Sequence, residues 1–267
     1  MNGDWFVYGN RPIAYVALFR RVAGFVRQYT NMTAMVWGPN IGVNYPFSGG
    51  GETPTPTSGP DFLILDTNND GQINSLDNPY TPFYPGDDVV DWVALSLYFY
   101  PYPNCPNCAV PPTYFQDYLT GSGPNVESGL DPSLVTNMTT YQQIHDFYQM
   151  FSTPESHNKP MLLPETGSPF LPEYINRTDI AQSSEVDIKM AWWAQVLSTN
   201  TLSQYPNLIA AVNFEEAKIQ GNELHDWKLT NTTELLESFL GLVSRFEGNM
   251  HQASEFVYGC DGSVALK

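Results

Sequence analysis

The chain has 267 residues, and its 11 basic against 28 acidic side chains give a formal net charge of −17 at pH 7. A surface this acidic repels nucleic acid and anionic membranes, which excludes both as partners and leaves neutral substrates and bound cations. No apolar run reaches the length of a membrane span. Aromatic residues make up 14% of the sequence, which is typical either of a large core or of a sugar-binding cleft, where flat rings stack on pyranoses.

Helical and strand patterns alternate along the first part of the chain. Apolar residues at helical spacing predict a helix that spans Tyr15 to Tyr29, and a short apolar run predicts a buried strand at 33–37. A Gly-, Pro- and Thr-rich insert, 39–85, comes next. The continuous apolar run at 91–98 predicts a strand of a parallel sheet.

The same alternation continues in the second part. The predicted elements are a helix capped by Thr139 and Gln142 that ends at Phe151, a strand at 161–164, a helix at 186–197, a strand at 208–214, and a helix capped by Asn231 and Glu234 that ends at Phe246.

This alternation predicts an α/β fold with right-handed crossovers and a parallel sheet. Polar segments follow each strand, at the edge that forms the active-site rim of a (β/α)8 barrel. A doubly wound sheet is the alternative, but it would need a Gly-rich phosphate loop after an early strand. The four predicted strands are about half of those in a barrel. We therefore expect one domain, 1–267, that is the C-terminal half of an incomplete (β/α)8 TIM barrel, from the end of strand four, with the insert 39–85.

Glu165 is the main candidate for chemistry. It directly follows the strand M-L-L-P and precedes T-G, which would place its carboxylate at the rim. The alternative is a loop residue that caps a helix.

The insert contains the run D-T-N-N-D-G-Q-I-N-S-L-D. Its spacing matches a calcium-binding loop with Gly71 at position six and an Asp in place of Glu at position twelve. An acidic surface loop without metal is the alternative, and a dockerin-like association would need a second loop that the sequence lacks. Because no flanking helices are evident, we expect a structural calcium ion rather than a sensor. The expected ligands are Asp66, Asn68, Asp70, Gln72 (through its backbone carbonyl) and Asp77.

The cysteines and sequons favour a secreted protein. Cys105 and Cys108 lie in a Pro-rich loop and not at the start of a helix, which favours a local disulfide over a redox motif, with two reduced thiols as the alternative. Cys260 is left without a partner. N-x-[ST] sequons, which are acceptors for N-glycosylation, occur at Asn31, Asn137, Asn176 and Asn231.

Five segments, in order, resemble glycoside hydrolase family 26, whose best-known members are β-mannanases, and the fungal branch fits best. The segments are M-N-G-D-W at 1–5, V-W-G-P-N at 36–40, Y-P-G-D-D-V-V-D-W-V-A-L-S-L-Y at 84–98, K-P-M-L-L-P-E-T-G at 159–167 and A-V-N-F-E-E at 211–216.

The resemblance implies a retaining endo-β-1,4-mannanase that acts as a monomer on a mannan-like polysaccharide and needs no catalytic cofactor. Glu165 falls on the family's nucleophile at the end of strand seven. Tyr98 falls on a tyrosine that hydrogen-bonds the nucleophile. The other expected substrate-binding residues are Trp5, Asn40 and Phe214.

The family's acid/base is a Glu in a H-E-M-N-G segment at the end of strand four. This segment matches M-N-G at 1–3, so the acid is expected just before Met1, together with three strands and a signal peptide. We therefore expect the chain to be inactive by itself. The alternative to a hydrolase is a non-catalytic, calcium-stabilised carbohydrate-binding relic.

Overall fold

The structure, a computed structural model, describes residues 1–43, 45–47, 51–101, 105–123, 144–176, 182–249, 256–258 and 264–266. None of the helices in these ranges is long and apolar enough to cross a membrane. The helices are α1 Pro12–Tyr29, α2 Pro60–Leu65, α3 Tyr114–Thr120, α4 Phe147–Phe151, α5 Glu185–Val196, α6 Thr199–Gln204 and α7 Thr233–Val243. The strands are β1 Val36–Trp37, β2 Trp92–Ala94, β3 Leu97–Tyr98, β4 Met161–Gly167, β5 Leu208–Asn213, β6 Ala217–Gln220, β7 Glu223–Asp226, β8 Phe256–Tyr258 and β9 Val264–Leu266.

The central sheet is parallel throughout, as the alternating pattern predicts. β1 pairs with β2, both β2 and β3 pair with β4, and β5 pairs with the other edge of β4. β2 and β3 therefore make up the one strand predicted at 91–98, and the sheet follows chain order. The interruption coincides with a register shift against β4, since Ala94 pairs with Leu162 but Leu97 pairs with Thr166. The remaining strands form two antiparallel hairpins, β6–β7 and β8–β9.

The helix predictions are confirmed for α1 and α5 and are partly wrong elsewhere. α4 begins only at Phe147, where the Asp146 side chain accepts a hydrogen bond from the Gln149 amide. The predicted caps Thr139 and Gln142 lie outside the described residues. For α7 the cap is Thr232, whose hydroxyl accepts from the Leu235 amide.

The predicted cap of α7 was wrong by one residue because Asn231 is used in another contact. Its side-chain amide donates to Asp226 Oδ2 at 2.8 Å, and this bond ties the start of the helix to β7. The helix also ends earlier than predicted, at Val243, and a 3-10 turn, Ser244–Asn249, follows.

Aromatic rings fill the core between the sheet and its covering helices. Trp37 of β1 packs on Phe147 and Phe151 of α4, with ring centroids 5.9 and 5.0 Å apart. Trp192 of α5 is fully buried and reaches β4. Fully burying one large apolar side chain stabilises a fold by about 1.5–3 kcal/mol, so part of the aromatic surplus is used for stability.

The rim loop after β3 is held by a short disulfide and by one amide. Cys105 and Cys108 are bonded, which confirms the predicted local bridge. Between them, buried Asn107 donates to the carbonyl of Leu171 at 3.1 Å and accepts from its amide at 3.0 Å. Cys260 lies outside the described residues. Of the sequons, Asn137 also lies outside them, whereas the other three asparagines are exposed.

The two edges of the sheet expose apolar side chains. Ile209 and Val212 of β5 are 52% and 53% exposed, and Val36 of β1 is 41% exposed. Within the part of the chain that the structure describes, β1 and β5 each have one partner strand. The parallel α/β fold is therefore observed as an open sheet.

Candidate active site

Glu165 lies inside β4 at a β-bulge and not just after the strand, as the sequence predicted. Ala94 of β2 pairs with Leu162, and Leu97 of β3 pairs with Thr166. Between these two pairs β4 moves on by four residues, whereas the segment β2–β3 moves on by three. The register also shifts against β5 between Leu163 and Thr166. β4 therefore contains one extra residue in this stretch. A bulge re-aims the side chains around it, which explains how a strand residue faces the rim.

The neighbouring residue, Thr166, shows which way Glu165 points. The Thr166 hydroxyl donates to the Leu97 carbonyl at 2.7 Å and accepts from Trp192 Nε1 of α5 at 3.1 Å. Thr166 therefore faces the helix layer. Glu165, next to it in the bulge, is exposed, so its side chain lies on the solvent side of the sheet and not in the packed layer against α5.

Tyr98 is the partner of this carboxylate. Its hydroxyl donates to Glu165 Oε2 at 2.6 Å, the length of a charge-assisted bond. Partial burial, and then the hydrogen bond and the charge of Glu165, raise the pKa of Tyr98 far above its ordinary value. Tyr98 therefore keeps its proton and remains a donor to Glu165 throughout the neutral and mildly alkaline range.

Three aromatic rings surround Tyr98. Their centroids lie 4.9 Å away for Trp227, 5.8 Å for Phe214 and 5.9 Å for Tyr100. Tyr100 is 48% exposed and Phe214 is half-buried, so both offer ring surface to the cleft. Trp227 is only 1% exposed and lies behind Tyr98. The sequence predicted Phe214 but missed Trp227 and Tyr100.

The β6–β7 hairpin forms a wall beside these rings. Lys218 of β6 lies opposite His225 of β7, and the Lys218 ammonium lies 4.4 Å from the centroid of the Phe214 ring. Gln220, on the same face of β6, is hydrogen-bonded to Tyr100. Burial is the largest cause of the raised pKa of Tyr100. The hairpin therefore presents polar side chains to the aromatic cluster.

The first residues of the chain hold the segment W-G-P-N. The Asn2 side chain donates to the Asn40 carbonyl at 2.8 Å and accepts from the Asn40 amide at 3.2 Å. Asn40 in turn pairs with Ser96, two residues before Tyr98. Asn40 therefore lies at the same end of the sheet as the Tyr98–Glu165 pair.

Trp5 is not brought into the aromatic cluster around Tyr98. Within the described part of the chain its ring contacts are Phe6 and Phe47, at 6.5 and 5.0 Å between centroids, and its side chain is half-buried. Asp4, next to it, is buried, and its carboxylate accepts from the Gly51 amide at 3.3 Å.

Two further glutamates follow β5. Glu215 accepts two backbone amides, of Leu229 at 3.0 Å and of Thr230 at 2.9 Å, and also the amide side chain of Asn213 at 2.6 Å. Burial tends to raise the pKa of Glu215, but these bonds together lower it. Glu215 therefore holds the loop that leads to α7, whereas Glu216 is exposed.

The calcium-like loop is ordered by hydrogen bonds from its own backbone. Asp66 accepts from the amides of Asp70 and Gly71 at 3.0 and 2.9 Å, and fully buried Asp77 accepts from the amides of Asn68 and Asn74 at 3.2 and 2.8 Å.

A helix leads into this loop, which corrects the sequence prediction that none flanks it: α2 ends at Leu65, directly before Asp66. Gly71, at position six, has a φ of +84°, as the sharp turn of such a loop requires. In the described ranges no three acidic, histidine or cysteine side chains are gathered as a metal centre.

No protein-family model matches the chain, and no curated protein matches its sequence. The interpretation of the site therefore rests on its geometry and on the motifs of the sequence. Among the predicted residues, the structure brings together Glu165, Tyr98 and Phe214, places Asn40 at the same rim, and leaves Trp5 outside the cluster. For Trp227 the sequence offers only a weak signal, an aromatic residue in the polar run H-D-W-K.

Proposed function

We propose that the chain is part of a retaining endo-β-glycanase of glycoside hydrolase family 26, most closely a β-1,4-mannanase, with Glu165 as its nucleophile. The observation that carries this proposal is the 2.6 Å bond from Tyr98 to Glu165, at a bulge and at the carboxyl end of a parallel sheet. This end of the strands is where (β/α)8 enzymes have their active sites. The proposal includes the closed barrel, which would extend the sheet beyond β1 and β5.

In this mechanism a Glu165 oxygen attacks the anomeric carbon of the sugar and forms a covalent glycosyl-enzyme, while the bond to the leaving oxygen breaks. Water then attacks the same carbon from the face that the leaving group has vacated, and the configuration is retained. Tyr98 donates its hydroxyl hydrogen to Glu165 Oε2, which fixes the direction of the carboxylate and leaves the other oxygen for the attack. Tyr100 and Phe214 offer ring faces on which sugars stack.

A retaining glycosidase needs a second carboxylate, about 5–5.5 Å from the first, that protonates the leaving group. By the family resemblance this residue precedes Met1. The bonds between Asn2 and Asn40 support the proposal, because they hold this end of the described chain at the rim. Asn40 and Trp5 remain proposed substrate contacts, and Trp5 would act at a more distant sugar than Phe214.

We further propose that the loop from Asp66 to Asp77 binds one structural calcium ion. The supporting observations are the helix α2 before it and the two backbone amides bound by the first aspartate. The proposed ligands are the five of the sequence pattern: Asp66, Asn68, Asp70, the backbone carbonyl of Gln72 and Asp77. The exposed sequons at Asn31, Asn176 and Asn231 support the proposal that the protein is secreted. We also propose that it is a monomer with a single domain.

The test uses a substrate that needs no acid, the 2-deoxy-2-fluoro-β-glycosyl fluoride of mannobiose. Attack by Glu165 breaks the bond between carbon and fluorine, and fluoride leaves with the electron pair. The fluorine at position two slows the second step, so the label accumulates. We expect one label per chain, found by mass spectrometry in the peptide that contains Glu165, whereas mannan itself is hydrolysed negligibly because acid assistance contributes about 10²–10⁴.

Glu165→Gln removes the nucleophile and should take up no label. Glu216→Gln is the matched control, since Glu216 is an exposed glutamate just after the adjacent strand, and it should label normally. A label on another carboxylate would show that the nucleophile is wrongly chosen. Mannan-oligosaccharide binding without any label would favour the non-catalytic relic.

A further inference from the structure

We infer that Trp227 is a positioning residue that holds Tyr98 against Glu165. The inference deepens the proposed function, because it concerns the same carboxylate. Trp227 itself cannot contact a sugar, since it is 1% exposed. Its role is to fix the ring whose hydroxyl binds the nucleophile.

Among the described residues, the ring of Trp227 makes the shortest aromatic contact with Tyr98. The two rings meet edge to face at 4.9 Å, and Trp227 also contacts Tyr100 at 5.5 Å and Phe214 at 6.0 Å. His225 stacks on Trp227 at 6.3 Å. Trp227 therefore contacts all three of the described rings that lie beside Glu165, those of Tyr98, Tyr100 and Phe214.

Gly167 leaves the space in which the Trp227 ring contacts Tyr98. This glycine pairs with Tyr98 in the β3–β4 register and has a φ of +155°. A Cβ at this position would lie 3.2 Å from Asn213 Oδ1 and 3.6 Å from Trp227 Cε3. The residue beside Tyr98 thus has no side chain, and the indole occupies the space next to it.

The backbone on both sides of Trp227 is anchored. Its amide donates to the Glu216 carbonyl at 2.9 Å, and its carbonyl accepts from the Asn213 side chain at 3.2 Å. Lys189 of α5, which is 1% exposed, donates to the Lys228 carbonyl at 2.6 Å. These three bonds fix the residue from β5, from the loop that follows β5 and from α5.

The indole nitrogen of Trp227 has no hydrogen-bond partner among the described residues. The ring is therefore held by packing and by its anchored backbone, and not by a bond of its own. A smaller side chain at this position would leave a cavity beside Tyr98. Tyr98 lies close to solvent, because its neighbour Tyr100 is exposed. Without this support Tyr98 can turn away, and Glu165 would lose its donor.

The experiment measures the labelling of Glu165 by the fluoroglycosyl fluoride in Trp227→Leu, Tyr98→Phe and the double variant. We expect Trp227→Leu to lower the first-order labelling rate about 10-fold to 100-fold, because small misplacements of reacting groups have effects of this size. The concentration of the fluoride that gives half the maximal labelling rate should change by less than about threefold, since the sugar contacts remain.

The double variant should react no more slowly than Tyr98→Phe, because both changes remove the same donor. Independent, multiplicative losses would overturn the inference.

Two controls separate positioning from general stability. Trp193→Leu removes another buried indole, which packs on Phe239 at 5.3 Å, and should lower the stability while the labelling rate of the folded protein stays unchanged. Trp227→Phe keeps a ring against Tyr98 and should restore most of the rate. Equal losses in Trp193→Leu and Trp227→Leu would contradict a positioning role.

A second measurement needs no chemistry at Glu165 and so distinguishes failure of the inference from failure of the proposed function. Burial is the main cause of the raised pKa of Tyr98. In an ultraviolet titration at alkaline pH, Trp227→Leu should therefore show one more ionising tyrosine than the unaltered protein. The Trp227→Leu, Tyr98→Phe double variant should lack that extra tyrosine. If the extra tyrosine does not appear, the inference is wrong even where Glu165 is labelled.

Discussion

The bond between Tyr98 and Glu165 explains why two residues far apart in sequence act together. β3 and β4 are neighbours, and Tyr98 pairs with Gly167, two residues beyond Glu165. The bulge in β4 brings the carboxylate back toward the tyrosine. A tyrosine kept protonated by burial can donate to a carboxylate without competing for its negative charge. The pair is thus suited to hold the nucleophile in one orientation.

The glycine beside this pair should be intolerant of any side chain. We expect Gly167→Ala to lower the free energy of unfolding by about 1–3 kcal/mol, because the new methyl group would press on Asn213 and Trp227. Unfolding in urea measures this change. Gly24→Ala is the control: Gly24 lies in α1 with nothing within 4 Å of an added Cβ. That variant should be more stable by about 0.5–1 kcal/mol, because alanine has the higher helix propensity. Equal stability of Gly167→Ala and the unaltered protein would show that Asn213 and Trp227 leave room for a methyl group at this position.

At the scale of elements, the sequence predicts what depends on local pattern. The apolar periodicity of α1 and α5 and the apolar runs of β4 and β5 are short-range signals, and these elements were found where predicted. The break between β2 and β3 and the bulge at Glu165 both depend on the registers that β4 makes with its two neighbours. Trp227 owes its place to contacts with β3, β4 and α5. Such long-range pairings leave no periodic trace, so the sequence could suggest Glu165 and Tyr98 but not the residues that position them.

The insert offers a prediction at the same scale. Titration calorimetry should show one calcium site, and calcium should raise the melting temperature, because an ion that binds only the folded state stabilises it. The Asp66→Ala, Asp70→Ala double variant should weaken this site sharply. The double variant removes the carboxylates at positions one and five of the loop, which are expected calcium ligands.

Glu155→Ala serves as the control for the loop variant, since Glu155 is exposed and lies outside the loop. The calcium affinity of the Glu155→Ala protein should match that of the unaltered protein. Absence of heat at millimolar calcium would refute the site, because even weak extracellular sites bind at about 10⁻⁴–10⁻³ M. The loop would then be an acidic turn held by its own amides.

For the whole molecule, the open sheet is the feature that the proposed barrel has to explain. Parallel sheets are normally covered on both faces, and a closed barrel has no edges. The apolar side chains exposed at Val36, Ile209 and Val212 lie on the two strands that closure would cover. Their exposure therefore supports the proposal that further strands pair with β1 and β5.

The stability of the whole molecule should fall on mild acidification, and His225 is one cause. Burial, and then the charge of Lys218, lower the pKa of His225 against the opposing effect of Glu223 and Glu173. The unfolded chain therefore takes up a proton near pH 6.5, the ordinary value for histidine, while the folded protein resists it. Because the unfolded state binds more protons, stability is fully present above this pH and decreases as the pH falls toward the lowered value.

Urea midpoints measured between pH 8 and pH 5 check this dependence, and His225→Gln should flatten it. His145→Gln is a matched comparison, since burial lowers the pKa of His145 as well, and the two changes should add because the residues lie in different parts of the fold. A steeper loss of stability in His225→Gln than in the unaltered protein would mean that the folded state favours the charged imidazole, with Glu223 as its partner at 3.9 Å.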